Sequence, residues 1–412
     1  MTLKPFDSAD FSRKKVLMRV DFNVPLKQNK ILDDFRIQRT LPTINFLKEK
    51  KAEKIILISH FGRPLKRDPK FSLEPISRHL EKIIGETIYF LKTPIGSQLS
   101  EEIEKLPNNC IILLENIRFY EEEEKNDKNF AKELAKMGDC FINEAFSASH
   151  HEAASLCAIT EFLPSFMGKL LEEEISQLNR IIKTPKRPLV IVLGGSKVKD
   201  KLPVVKRFLE QADYVLLGGV VADTVLKAND FSIGSSIFDR EILDAAKNLG
   251  SQKAELILPG DFRVLNKDNK KQIKELGLIT NKDVIFDIGP LAAKTFAQII
   301  SKAKTIFFNG AMGKFEDPRF SDGTKEIIEA IINNQKAQTV IGGGDTLLAF
   351  KILKPEYRIP ARLAPACFEL RSESGRSQCE AGRQNTGYRF FSTGGGAMLE
   401  YLAGKSLPGL TI

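Results

Sequence analysis

Two sets of residues in this chain have the types and spacing to do chemistry, and they fall in different halves. Toward the amino terminus, polar and cationic residues follow short apolar runs: Asp21 and Asn23, His60 and Arg63, Asn116 and Arg118, and Asn143. Guanidinium forks match carboxylate and phosphate geometry, so such a set suits a small anion held by side chains. Toward the carboxyl terminus the residues after the runs are mostly glycines: Gly194 and Gly195, Gly218 and Gly219, Gly289, Gly310 and Gly313, Gly342, Gly343 and Gly344, then Gly394, Gly395 and Gly396. Glycine lets a phosphate reach backbone N–H groups at helix amino termini, where the helix dipole favours negative charge. One glycine turn can serve strand-to-helix packing alone, and a lone arginine or histidine at a strand end is more often a surface residue. Two unlike sets, each recurring at one edge of its own half, are hard to explain as packing. One half is read as built for a small acidic substrate and the other for a nucleotide.

The elements that must position these residues are legible as apolar runs separated by amphipathic stretches, the signature of alternating strands and helices. The runs are Lys15 to Asn23, Lys54 to His60, Cys110 to Asn116 and Cys140 to Phe146 in the first half. In the second they are Pro188 to Gly195, Tyr214 to Gly219, Glu255 to Asp261, Val284 to Pro290, Thr305 to Gly313, Thr339 to Asp345 and Phe390 to Gly396. Near-continuous apolar runs mark strands covered on both faces, so the expected fold is α/β, with two doubly wound parallel sheets. Ligands of such sheets bind outside the carboxyl ends of the strands, which is where both residue sets lie. Phe162 to Pro188 reads as an amphipathic helix closed off by prolines, joining the halves.

Composition sets outer bounds. The chain has 412 residues, 42% of them hydrophobic, more than one core usually organises. Lys and Arg outnumber Asp and Glu by 62 to 53, for a net charge of +9, which favours acidic ligands without choosing among them. No aromatic-and-basic motif of an RNA-binding module is present, so no specific nucleic-acid partner is expected. The five cysteines are scattered, with no CxxC pair, and fit a reducing compartment. The start, MTLKPFDSADFSRKK, lacks a signal-peptide apolar stretch, and no window reaches the length of a membrane span. A cytoplasmic protein without membrane attachment is expected. A Walker A loop is absent, which argues against a P-loop enzyme.

Several blocks, in order along the chain, resemble the phosphoglycerate kinase family: RVDFNVPL (from Arg19), DDFRI (from Asp33), LPTI (from Leu41), SHFGRP (from Ser59) and LLENIRF (from Leu113). So do LGGSKVKDK (from Leu193), NGAMGKFE (from Asn309), GGGDT (from Gly342) and STGGGAMLEYLAGKSLPG (from Ser392). The resemblance implies two Rossmann-like domains joined by an interdomain helix and hinge: 1–165 binding phosphoglycerate, with the tail 398–412 packing back on it, 166–187 as helix and linker, and 188–397 binding nucleotide. It implies that Asp21, Phe22, Asn23, Arg36, His60, Phe61, Gly62, Arg63, Arg118 and His151 contact the substrate. It likewise assigns Lys201, Gly218, Gly219, Asn309, Glu316, Gly343, Gly344, Asp345 and Thr346 to the nucleotide, with Asp345 on a magnesium ion and Glu316 at the ribose. Arg36, Lys197, Gly394 and Gly395 would stabilise the phosphoryl group in flight. The implied reaction is reversible transfer from 1,3-bisphosphoglycerate to ADP, giving 3-phosphoglycerate and ATP in a monomeric enzyme that closes about its hinge. The alternative is a catalytically impaired protein that keeps metabolite and nucleotide affinity.

Three departures stand out. His151 lies where the family has an arginine that helps hold the substrate phosphate, and loss of one charge-assisted contact costs about 1 to 3 kcal/mol. Ala311, Phe308 and Lys314 replace the usual proline, tryptophan and valine, and Glu144 replaces an aspartate. Finally, 355–388 reads as an insertion, with five arginines against four glutamates and no apolar periodicity in its second part.

Overall fold

The computed structural model describes residues 3–250, 253–357, 359 and 388–410; the segment 355–388, expected to be an insertion, falls outside them except at its ends. The chain divides into two compact units, the first from the amino terminus through Ser176 plus Ser406 onward, the second from Gln177 through Lys405 apart from a short piece of the undescribed stretch.

The first unit is built on strands β1 (Lys15–Arg19), β2 (Lys54–Ile58), β3 (Ile88–Leu91), β4 (Cys110–Leu114), β5 (Cys140–Asn143) and β6 (Ser165–Met167). They form one sheet in the order β3-β4-β2-β1-β5-β6, and all its pairings are parallel. The apolar runs dictate this: KIILI and CIILL are buried at every position, which only a sheet covered on both faces permits. Alternate residues feed two separate cores. Val16, Met18, Ile55 and Leu57 enter one, while Leu17, Ile56, Ile58 and Phe141 enter the other. Strand order reverses at β1, so a crevice for ligand is expected where β1 and β5 end side by side.

The second unit opens with β7 (Leu189–Leu193), β8 (Tyr214–Leu217) and β9 (Glu255–Ile257), continues through β10 (Asp261–Leu265), β11 (Lys271–Glu275) and β12 (Val284–Ile288), and finishes with β13 (Thr305–Asn309), β14 (Gln338–Gly342) and β15 (Arg389–Ser392). Six of these make a second all-parallel sheet, β9-β8-β7-β13-β14-β15, whose order reverses between β7 and β13. The other three depart from the sequence reading. β12, read as a strand of the parallel sheet, instead pairs antiparallel with β10, which also pairs antiparallel with β11. The polar content of KQIKE, almost wholly exposed, suits a sheet with one wet face, and antiparallel sheets tolerate that where parallel ones do not.

Helices needed below are α1 (Phe35–Glu49), α2 (Lys169–Lys183), α3 (Val198–Gln211), α4 (Gly219–Ala228), α5 (Gly344–Leu353) and α6 (Gly395–Leu402). The segment read as one helix from Phe162 to Pro188 is divided: β6 completes the first sheet and α2 follows it. Helix α6 packs in the second unit, where Arg207 of α3 donates to the Leu402 carbonyl at 3.0 Å. The last residues belong to the first unit, where the Asn143 side chain donates to the Gly409 carbonyl at 3.0 Å and the Gly409 amide to the Ser149 carbonyl at 2.8 Å.

Candidate functional site

In the first unit the candidate residues converge at the carboxyl ends of β1, β2, β4 and β5. Asp21 follows β1, where its carboxylate accepts from Arg36 of α1 at 2.6 Å and from the Asn23 amide at 2.9 Å. The Ser147 hydroxyl, on the loop after β5, donates to the same carboxylate. Burial pushes the Asp21 carboxyl up, yet Arg36, His60, Ser147 and the Asn23 amide together hold it well below the usual carboxylate range. His60, after β2, is buried, and burial together with Arg19, Arg118 and Arg36 keeps it neutral against the pull of Asp21, whose oxygen lies 4.0 Å from Nε2.

Backbone around this cluster is fixed by two asparagines. The Asn23 side chain accepts from the Gly62 amide at 3.0 Å. Asn116, after β4, accepts from the Phe61 and Arg118 amides at 3.1 Å and donates to the carbonyls of Phe61 and Phe71. Arg118 in turn donates to the Gly62 carbonyl at 2.8 Å, and Arg63 stands exposed beside it. Thus Asp21, Asn23, Arg36, His60, Gly62 and Arg118 are joined by direct contacts; Arg63 acts electrostatically on Arg118, and both act on His151. Phe22 differs: its ring is wholly buried in the core, leaving only its backbone to face a ligand.

The structure adds residues that the motif reading passed over. Arg19 ends β1 and is 2% exposed; its guanidinium lies 3.1 Å from His60 Nδ1 and donates to Ser155 Oγ at 2.9 Å. Ser155 passes a hydrogen bond of 2.6 Å to Glu123, itself 2% exposed and 3.9 Å from Arg19. A charged residue closing the apolar run Val16–Met18 was the available signal, since a buried arginine requires a partner.

In the second unit the glycines gather where β7 and β13 end. The Gly195 amide donates to the Ala311 carbonyl at 2.7 Å and the Gly219 amide to the Met312 carbonyl at 3.0 Å. Gly310 and Gly343 have φ of +93° and +97°, which side-chain-bearing residues rarely adopt. The Asn309 side chain donates to the Gly342 carbonyl at 2.7 Å, and the Thr346 hydroxyl accepts from the Gly310 amide at 2.7 Å. Helices α3, α4, α5 and α6 start just after β7, β8, β14 and β15, so their unpaired amide groups share one edge of the sheet. Lys201 lies buried in α3 and donates to the Gly194 carbonyl. Burial, helped by Lys197 and opposed by Asp345, brings its ammonium down to about 8. Lys197, Glu316, Gly344 and Asp345 are exposed at this edge or its flanking loops, while Gly218 and Gly394 are buried in their turns and Gly395 is partly buried. Of the four residues expected around the transferring group, Arg36 belongs to the first unit and Lys197, Gly394 and Gly395 to the second.

Glu144 shows how the first unit holds the start of α2. It is 1% exposed; its Oε1 accepts from the Thr43 hydroxyl and from the Leu170 amide at 3.2 Å, while Oε2 has no partner among the described residues. A Cβ on Gly168 would fall 1.7 Å from that Oε2, so only glycine fits there. Burial raises the carboxyl to about 8, so the folded protein retains a proton that the unfolded chain releases near its ordinary value. This contribution to stability is complete below about pH 4.5 and is lost as pH rises toward 8. Glu144→Gln should remove that slope, leaving wild type the less stable at about pH 8 by roughly 3 to 4 kcal/mol relative to their difference at pH 5. Chemical unfolding of both proteins across this range would show it; parallel curves would refute it.

Two six-stranded parallel sheets, one with a cationic edge and the other with an edge of backbone amides, define a two-unit α/β phosphotransferase. The sequence model described as Phosphoglycerate kinase matches residues 6–405. Proteins named phosphoglycerate kinase from Dictyoglomus turgidum and Pseudothermotoga lettingae are 38% and 41% identical, covering 100% and 97% of this chain and 98% and 96% of their own lengths. The solved phosphoglycerate kinase of Coxiella burnetii, 33% identical, superposes with a TM-score of 0.80 over 100% of this chain and 98% of its own; that of Pyrococcus horikoshii, 29% identical, also reaches 0.80, over 99% and 98%. The chain belongs to the phosphoglycerate kinase family, phosphotransferases with a carboxyl group as acceptor that use ADP and ATP. Its activity is therefore phosphoryl transfer between an acyl phosphate and ADP, on small-molecule substrates. No described helix is long and apolar enough to cross a membrane.

Proposed function

We propose that the first unit binds 3-phosphoglycerate or 1,3-bisphosphoglycerate through Arg36, Arg63, Arg118 and the Asp21–His60 cluster, and that the second binds ADP or ATP on its glycine edge. The observation that carries this reading is the contrast between the two sheet edges: charged side chains after β1, β2 and β4 in the first unit, backbone amides and a buried lysine at the ends of β7 and β13 in the second. A small anion with a carboxylate and a phosphate suits side-chain forks, and a polyphosphate suits helix amino termini.

Transfer from an acyl phosphate to ADP needs no protein nucleophile or general base. It needs alignment and neutralisation of charge on the equatorial oxygens. Arg36, from the substrate side, and Lys197 with the Gly394 and Gly395 amides, from the nucleotide side, would supply that positive charge. Since these groups are divided between two compact units, the reaction requires closure of one unit on the other, which also excludes water from the acyl phosphate.

Asp345 suits magnesium. It is exposed, in the first turn of α5, and no hydrogen bond or ion pair engages it among the described residues. No cluster of three or more His, Cys, Asp or Glu forms a cage among those residues, and magnesium commonly binds one or two carboxylates together with substrate phosphates. The ion would offset charge on the nucleotide phosphates. The buried free thiols of Cys110, Cys140 and Cys157 fit a reducing, cytoplasmic setting, in which the protein would act as a monomer.

A coupled assay of ATP formation from 1,3-bisphosphoglycerate and ADP tests this reading. Asp345→Asn should raise the magnesium concentration needed for half-maximal rate by about 10- to 100-fold, as loss of metal-site groups generally does. Turnover at background by a folded protein, or an unchanged magnesium requirement, would overturn the respective assignment.

A further inference from the structure

In the second unit a single hydroxyl lies behind both of the glycine turns from which α3 and α4 start. Thr324, in the first turn of the helix Asp322–Asn333, is wholly buried. Thr40 and Thr224, also buried in helices, return their hydroxyls to the carbonyls four residues back, those of Arg36 and Val220. Thr324 instead serves a loop outside its helix: its oxygen accepts from the Met312 amide at 3.0 Å and from the Gly313 amide at 3.3 Å. The carbonyls of those same two peptide groups belong to Ala311 and Met312, and they accept from the Gly195 amide at 2.7 Å and the Gly219 amide at 3.0 Å. Two consecutive planar peptides therefore run from one hydroxyl to the amides of two turns, and a peptide plane that rotates gives up the bonds at both of its ends.

The helix that carries Thr324 is itself held in place. Asp287, 1% exposed on β12, accepts from the Gly323 amide at 2.8 Å, and Arg263 lies 3.4 Å from that carboxylate. A Cβ on Gly323 would fall 2.4 Å from Asp287 Oδ1, so the helix start is seated against β12 with no room for a side chain between them.

We propose that Thr324 is a positioning residue for the nucleotide: its hydroxyl sets the two peptide planes that hold Gly195 and Gly219 at the glycine edge, although, being wholly buried, it does not touch the ligand. The proposal rests on the nucleotide site given above. A buried amide without an acceptor is costly, so a chain lacking this oxygen would turn one or both peptides toward another acceptor. That turn would carry Gly195 and Gly219 away from the arrangement that suits a polyphosphate.

Thr324→Val keeps the shape of the side chain and removes the acceptor. Calorimetric titration of the full chain with ADP and magnesium should give a Kd about tenfold weaker than wild type, the scale of one hydrogen bond's net worth, while the Kd for 3-phosphoglycerate stays unchanged. Thr324→Ser retains the oxygen and should bind ADP like wild type; it carries the test if the valine variant does not fold, and a loss of about tenfold in it would overturn the proposal. Ile331→Val, in the buried face of the same helix, should lower the melting temperature without weakening ADP binding. Unaltered ADP affinity in Thr324→Val would overturn the proposal and leave the nucleotide site standing. So would equal weakening of both ligands, or a loss of ADP affinity as large in Ile331→Val, since either marks a loss of packing rather than of the hydroxyl. Failure of wild type to bind ADP would instead remove the nucleotide site, and this role with it.

Discussion

Arg36→Met should lower kcat for ATP formation by about 10²- to 10³-fold, the loss typical when one preorganised donor to a transition state is removed. Arg36 lies in the first turn of α1, its guanidinium pinned to Asp21 at 2.6 Å and reaching the Asn23 carbonyl at 3.3 Å. That pinning fixes the fork before substrate arrives. Although the Arg36 side chain is 31% exposed, its partner Asp21 is only 8% exposed, so removing the guanidinium leaves a buried carboxylate without its main counter-charge and the melting temperature should fall as well. The KM for the nucleotide should hardly move, whereas that for the phosphoglycerate should rise. A variant that keeps kcat within tenfold of wild type would show that Arg36 does not meet the transferring group.

Glu123→Ala should destabilise the first unit by about 3 to 5 kcal/mol, the cost of leaving a buried charge without its partner. Arg19 would retain its bonds to Ser155 and the Val20 carbonyl, but no carboxylate would remain within ion-pair distance, Asp21 acting on it only from farther off. Ser155 would also lose the acceptor of both its hydroxyl and its amide. Since Arg19 abuts His60 Nδ1, weaker phosphoglycerate binding should accompany the lower stability, and nucleotide binding should be spared. Glu123→Gln, which keeps the hydrogen-bond acceptor and removes only the charge, should recover part of the loss. Equal stability of wild type and Glu123→Ala in chemical denaturation would exclude this account.

Much of this protein is written in local sequence. A parallel strand buried on both faces must be apolar throughout, so LVIVL and KIILI announce themselves. Residues after such strands lie at the ligand edge by topology, which made Asp21, His60, Arg118 and the glycine turns identifiable before any coordinate was considered. Strands with mixed character were less legible. Ser165–Met167 and Ile88–Leu91 are short edge strands in which buried and half-buried residues mix, and β12 resembled its parallel neighbours because an apolar run does not say which strand it will pair with.

Tertiary structure alone decided the rest, because contacts between residues distant in sequence leave no periodic trace. Nothing local links Arg19 to Ser155 and Glu123, Ser147 to Asp21, or Glu144 to Thr43 and Leu170; each pair meets only because the sheet brings separate strand ends together. The sequence determined which residues could grip phosphate, through their donors and charge. Folding determined their protonation: His151 and Lys201 are depressed and Glu144 is raised because burial and neighbouring charges set the cost of ionisation, and both are properties of packing that no stretch of chain carries by itself.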